Sequence, residues 1–473
     1  MSGLRRLAAL LSVFSLVALA CGQKPGVHLE GETVAAGDTS STTGLDGSTT
    51  DTSGLDGSTT TDTTTGTTDT TGTTGDTTGT TTGTNGTNDT TGDTSGDTGG
   101  DTGSTTIGSD RTGVEADKIT IALHAPVTGA APIRSDSFRT GKDLYWDHGD
   151  NGKPVEIYGR QVEVLFADDK YNPSTAKSVC QQMAESGNAF LLIGGGGTDQ
   201  IKACADYAHS KGIPYLSAGV TENGLRGLPE YFAVSMSYKQ QVPLLAQYVK
   251  NVLHVSDNSK VVMIASDTAN FDDAVGAFEE SFPGAAVIRS SKSGSGTEYA
   301  DDVCNGPAKK YDVVFPLTSP TFFLELEGSA ACNPQYAGLG ITHGLNTVAS
   351  TGCRTATGSM NGARFFSPAF AYKNTATEAK DFRAAGGIDD IQFLIWGISK
   401  ALHQLLLAAG EDLTREGFIA AAQNATGIET GVFPELNYSP TNHFGAAQVH
   451  VLKAVCSGSG GEYVTERYFA GSF

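Results

Sequence analysis

Ala189–Gln200 reads AFLLIGGGGTDQ, and its two halves follow different rules. Ala189-Phe190-Leu191-Leu192-Ile193 is a continuous apolar run of strand length, the pattern of a strand buried on both faces. Gly194-Gly195-Gly196-Gly197 lets the backbone turn closely, and a helix is expected from Asp199 to Lys211. A buried strand that feeds a helix through glycines is half of a strand–helix–strand unit, so the sheet around it is parallel. In a doubly wound sheet, ligands sit at the carboxyl ends of the strands, where helix N-termini point. Free N–H groups and the helix dipole at Thr198 favour an anion such as an α-carboxylate. A nucleotide loop is excluded, because the GK[ST] ending is absent and GxGxxG fails at Asp199. The plain alternative is a tight turn that holds nothing.

The alternation continues on both sides. Strands are expected at 118–123, 162–166 and 215–216, with helices at 135–147 and 173–186, the latter opened by Asn172 and Pro173. A second run follows, with helices at 239–253, 271–282, 298–305 and 321–330 and strands at 261–265, 286–288 and 313–315. Two successive runs imply two parallel sheets, hence an α/β protein of two doubly wound lobes. Asp389 or Asp390 then caps a long helix that carries Ile391, Leu394, Ile395, Ile398, Leu402, Leu405 and Leu406 on one face and ends at Gly410. A shorter helix is expected at 415–424, and strands at 448–455 and 463–468 close the chain.

The N-terminal quarter is of another kind. Arg5 and Arg6 precede the apolar run Leu7–Ala20, too short to span a bilayer but suited to a signal-peptide core. The run ends in Val17-Ala18-Leu19-Ala20-Cys21-Gly22, which resembles the bacterial lipoprotein box. Residues 1–20 are therefore expected to be a signal peptide and Cys21 a lipidated cysteine, giving an exported protein anchored to the cell envelope by lipid alone. Residues 21–113 are expected to be a disordered linker. Between Thr39 and Thr106, 32 of 68 residues are Thr, and such a stretch buries too little apolar surface to offset its ordering entropy. It serves as a spacer, with dense Thr as possible O-linked sites.

The chain has 473 residues, with 31 Lys+Arg against 52 Asp+Glu and a net charge of −21. From residue 114 onward the balance is 27 against 38, so the folded part stands near −11. With no basic patch, nucleic acid is excluded as a partner. Beyond Cys21 there are six cysteines, Cys180, Cys204, Cys304, Cys332, Cys353 and Cys456, and an even number in an exported chain suggests disulfides. Six allow fifteen pairings; joining neighbours gives Cys180–Cys204, Cys304–Cys332 and Cys353–Cys456. Neither CxxC nor Cys/His zinc spacing occurs, so no metal and no other cofactor is expected.

ITIALHAPVTG (Ile119–Gly129), VEVLFADDKYNPSTA (Val162–Ala176), AFLLIGGGGTDQ, GIPYLSAGVTENGL (Gly212–Leu225) and SPTNHFGAAQVHVLKA (Ser439–Ala454) stand in one order. Together they resemble type I periplasmic solute-binding proteins of the leucine/isoleucine/valine-binding kind, over essentially all of Asp117–Phe473 and most weakly over Leu317–Phe370. The resemblance implies a flytrap of two lobes crossed three times by the chain, one holding 114–236 and 367–433, the other 237–366 and 434–473. The neighbour disulfides then fall within lobes. The resemblance also puts Gly197 and Thr198 at a ligand carboxylate, and the Gly219 backbone and Thr221 hydroxyl at the charged end of an amino acid. Phe271, Thr318 and His343 stand at pocket-lining positions in the second lobe, and Ile133 stands where an aromatic often caps the ligand. Relatives commonly offer a carboxylate near His343 to an α-ammonium; Thr342-His343 stands here instead, a departure from a simple leucine-like site.

The expectation is a non-enzymatic binding protein that captures a small amino acid or amide-like solute and delivers it to an ABC permease. A sensor or adhesion module of the same fold is the alternative, favoured slightly by the long spacer. An exported hydrolase is disfavoured, because neither GxSxG nor HExxH occurs.

Overall fold

The computed structural model describes residues 109–473 apart from positions 134, 356, 357, 359 and 459. The expected signal peptide, Cys21 and the spacer through residue 108 lie outside the described residues.

Two sheets carry the fold. The first contains β1 (Lys118–Ala125), β2 (Glu156–Ile157), β3 (Arg160–Asp168), β4 (Leu192–Gly194), β5 (Tyr215–Ser217) and β6 (Tyr231–Ala233), in the order β2-β3-β1-β4-β5-β6. All neighbours are parallel except β2 against β3. β1 is buried at every position after Lys118, as a central strand covered by helices on both faces must be.

The second sheet contains β7 (Val261–Ser266) and β8 (Ala286–Ser290). A two-residue hairpin of β9 (Cys304–Asn305) and β10 (Ala308–Lys309) stands apart. The sheet continues with β11 (Val313–Leu317), β12 (Gln335–Gly338), β13 (Arg364–Ser367), β14 (Val449–Ser457) and β15 (Gly460–Ala470), in the order β15-β14-β13-β12-β11-β7-β8. β14 and β15 are antiparallel at one edge.

Helix ends follow their sequence signals. Asn172 accepts the Thr175 N–H, Ser237 and Gln240 form a reciprocal capping box, and Asp389 accepts the Gln392 N–H at the start of helix Asp390–Ala409. That helix ends at Gly410, whose φ of 88° suits glycine. It is long and apolar enough to cross a membrane by length and composition, but it is mostly buried against helix Ser135–His148, with Tyr145 edge-on to Trp396 at 5.1 Å.

The helix expected at 298–305 is not formed as one element. A 3-10 turn, Gly296–Tyr299, leads into the single turn Ala300–Val303, and the chain then turns back through Gly306 at φ 59°. Pro307 follows and cannot continue a helix. Strands β6, β12 and β13 and helices Asn346–Gly352 and Thr377–Ala384 were not expected; each is too short for its periodicity to register.

The chain passes between the sheets three times, after β6, after β13 and before β14. The last passage comes later than residue 434. Leu436 bridges Ile428, Tyr438 meets the Phe232 ring at 5.6 Å, and Phe444 bridges Ala233 of β6, so this stretch stays with the first sheet. Cys180–Cys204 joins two helices on the first sheet, and Cys304–Cys332 and Cys353–Cys456 lie with the second. Arg415, almost fully buried, donates to the Ala189 and Phe190 carbonyls at 2.7 and 3.0 Å and to Asp110 at 2.8 Å.

Candidate functional site

A narrow, largely apolar cavity opens at the carboxyl ends of β4 and β5. Its mouth is built from Gly194–Gly197, Ala218–Val220 and Tyr238 on one side and Ile341, Thr342 and Leu345 on the other. From there it continues inward between the first sheet and its helices. Ile121, Leu123 and Val164 form the sheet wall, Phe138 and Trp146 one helical wall, and Ile391 to Ser399 the other. Lys142 is the only ionisable amine or guanidine group among the lining residues, and its ammonium is held by Asp143 at 2.6 Å; no carboxylate lines the cavity.

Gly197 stands immediately before helix Thr198–Ser210, at φ 78°, and no side chain caps that helix. Its first-turn N–H groups are therefore available at the mouth. A Cβ on Gly197 would lie 2.1 Å from the Gln200 side-chain oxygen, and one on Gly219 (φ 96°) 2.3 Å from Ser235 Oγ, so both places require glycine.

Gly197 and Gly219 line the cavity, as does Ile133. Thr198 is buried just behind the mouth, hydrogen-bonded to the Tyr238 hydroxyl; burial pushes the Tyr238 phenol up to about 12, with that bond opposing. Four expected contacts are placed elsewhere. Thr221 donates its hydroxyl to Asp273 at 2.9 Å. Phe271 is half-buried, its ring 6.1 Å from that of Tyr238 and outside the lining. Thr318 is buried at the end of β11 beside the Ser319 carbonyl, also outside the lining. His343 is drawn into the core, stacked on Phe365 at 5.5 Å and edge-on to Phe323 at 5.3 Å, and its neighbour Thr342 faces the cavity instead. Neither His343 nitrogen has a partner among the described residues, and burial pulls the imidazole down to about 3.

Two carboxylates tie the lobes across the cleft. Asp199, in the first turn of helix Thr198–Ser210, accepts from Lys292 Nζ at 2.6 Å, Asn270 Nδ2 at 2.7 Å and Thr268 Oγ1 at 3.2 Å. Burial opposes its ionisation, yet the Lys292 and Asn270 bonds hold the carboxyl below its usual range. Asp273 answers from the other lobe, accepting from Thr221 and from the Glu222 and Asn223 N–H groups at 2.6 and 3.2 Å. A further tie joins the Asn346 N–H to the Asp390 carboxylate. The sequence reading names neither Asp199 nor Asp273 as a site residue, and Asp390 only as a candidate helix cap. Asp199 follows the glycine run directly, and Asp273 opens a helix with Asp272, which in sequence reads as ordinary dipole-favoured acid.

The acidic pair Asp168-Asp169 shapes the neighbouring loops. Asp168 accepts from the Val127 and Lys170 N–H groups at 3.0 and 2.9 Å, and Asp169 binds His124 Nδ1 at 2.8 Å while His124 Nε2 meets the Tyr215 hydroxyl at 2.7 Å. His124 with Cys180 and Cys204 is compact enough to hold a metal, but both sulfurs are in a disulfide and both ring nitrogens are engaged.

Residues 118–462 match the periplasmic binding protein family. No curated protein matches the chain. A fatty acid ABC transporter substrate-binding protein from Thermomonospora curvata shares the fold with a TM-score of 0.63 at 14% identity, covering 76% of this chain and 95% of that one. A branched-chain amino acid transporter substrate-binding protein from Streptococcus pneumoniae, in complex with isoleucine, gives 0.58 at 16% identity over 74% and 100%. An R. palustris ABC transporter solute-binding protein in complex with benzoate gives 0.56 at 18% identity over 75% and 99%. At these identities the likeness is one of fold.

Proposed function

The chain belongs to the periplasmic binding protein family, with the type I fold of two doubly wound lobes, and on that premise we propose that it captures a small solute between its lobes outside the cytoplasm and hands it to an ABC permease. The observation that carries this is the cavity at the strand ends, walled by both lobes and entered at an uncapped helix N-terminus. Binding works by closure: a solute that touches both lobes favours the closed arrangement, which Asp199 and Asp273 also hold.

In this reading Gly197, Thr198 and Gly219 receive the solute's carboxylate, and Tyr238 and Thr342 complete the mouth. The lobes comprise 114–236 with 367 to about 446, and 237–366 with the remainder. Cys21 carries the lipid anchor, residues 21–108 are the tether, and the work is binding without catalysis. The linker end expected at 113 is cut back because Asp110, Arg111 and Gly113 are bonded into the fold. A sensor of the same fold is the second reading, favoured by a spacer whose mean reach is roughly 50 Å.

A thermal-shift screen against amino acids, amides and carboxylates, followed by solution scattering, tests the proposal. A gain of several degrees with a smaller radius of gyration is expected for at least one solute. Absence of any shift or compaction across the panel overturns it.

A further inference from the structure

We propose that the solute is a medium-length carboxylic acid with no α-ammonium, whose apolar body runs from the glycine loop into the interior of the first lobe and whose far end carries a hydrogen-bond acceptor. The proposal rests on the solute-binding reading above and names the class of solute.

The cavity does not stop in the cleft. It continues between β1 and the helices Ser135–His148 and Asp390–Ala409, a layer that protein interiors fill with side chains at close-packed density. Along the second of these helices it follows Ile391, Leu394, Ile395 and Ile398, a run of about 10 Å at 1.5 Å per residue. Unfilled apolar space of that length is costly unless something else fills it. Its entrance is kept open by glycine: a Cβ on Gly195 would stand 2.8 Å from Phe138 Cε1, and one on Gly196 3.2 Å from Ile133 Cδ1.

The lining chemistry selects the ends. An α-ammonium entering this cavity would meet no carboxylate, and an unpaired buried charge is strongly disfavoured. A carboxylate at the mouth meets the uncapped N-terminus of helix Thr198–Ser210. At the inner end stands Trp146, 3% exposed, whose indole N–H has no acceptor among the described residues. Buried donors are nearly always paired, so an oxygen on the far end of the solute is the partner this N–H calls for.

The test is calorimetric binding of butyrate, hexanoate, octanoate and decanoate, of the ω-hydroxy derivative of octanoate, and of leucine and isoleucine, to the full chain. Affinity is expected to rise about fourfold per methylene up to the length of the cavity and then level off. The ω-hydroxy acid should bind about fivefold tighter than octanoate, and Trp146→Phe should erase that difference. Ile398→Phe should move the optimum to a shorter acid; the wild-type series stands by itself if that variant fails to fold. Tighter binding of leucine or isoleucine than of any acid, or affinity indifferent to chain length, overturns the inference and leaves the solute-binding reading standing. If no acid, amide or amino acid binds or closes the lobes, both fall.

Discussion

Asp199 of the first lobe and Asp273 of the second each reach across the cleft and accept hydrogen bonds from the opposite lobe, the closest being 2.6 Å in both cases. The two acids flank the mouth as a reciprocal latch. The bonds to the part-buried Asp273 carboxylate are worth about 1.5–3 kcal/mol each and the half-exposed Lys292–Asp199 pair about 1 kcal/mol at most, so the latch biases the lobes toward closure even before a solute adds its own contacts. Asp273→Ala is expected to enlarge the ligand-free molecule in solution scattering and to weaken solute binding about tenfold or more, because closure must then be driven by the solute alone. An unchanged radius and affinity would show that the latch contributes nothing.

Asp390 predicts a pH effect. Burial raises its carboxyl to about 6, assisted by nearby Asp389 and opposed by the bond from the Asn346 N–H. Its folded value lies above the ordinary one, so between about pH 4 and pH 6 the folded protein holds a proton that the unfolded chain releases. Stability from this group is therefore greatest in acid and falls as pH rises through that window. Asp390→Asn should gain on the wild type by up to about 3 kcal/mol between pH 4 and pH 7, read from denaturant midpoints. Parallel curves for the two proteins would contradict this.

His343 and His450 work in the opposite direction. Burial lowers both imidazoles to about 3, with a backbone bond partly opposing at His450. Between about 6.5 and 3 the unfolded chain binds protons that the folded protein refuses, so stability is lost as pH falls through that range. His343→Phe should flatten the acid limb of the stability profile while leaving pH 8 little changed. An acid limb as steep as the wild type's would contradict it.

Cys353–Cys456 closes a loop of 103 residues and Cys180–Cys204 one of 24. In the chain-entropy account, removing the longer loop by paired Cys→Ser changes costs about 4–5 kcal/mol, and removing the shorter about 3. Chemical denaturation of the two double variants, with the other bridges intact, checks both the size and the order.

The scaffold was readable because its signals are local. The apolar run Ala189–Ile193, the glycines after it, the Asn172 and Asp389 caps and the Gly410 stop each act within a few residues, and neighbour pairing of the cysteines matches the bridges formed. Of the expected site residues, Gly197, Gly219 and Ile133 line the cavity, and the two glycines carry the same kind of local signal. The rest depends on contacts between distant positions. Asp199 meets Lys292 and Thr221 meets Asp273 only after two sheets have formed and closed. His343 fails as a lining residue through a difference of one position, since the loop after β12 turns Thr342 to the cavity and the imidazole to Phe365. The inner passage could not be read at all: Ile391, Leu394, Ile395 and Ile398 have the spacing of an ordinary core helix, and nothing in that spacing tells a filled interface from an unfilled one.

The Arg415 clamp gives the two jaws unequal mechanical standing. Asp110 lies at the start of the described residues, and Arg415 couples it to the Ala189 and Phe190 carbonyls beside β4. That coupling lies wholly within the first jaw and involves none of the hinge segments. The chain joins the second jaw to that path only through the hinge segments, so a load applied at Asp110 would steady the half that carries the glycine loop without resisting the bite.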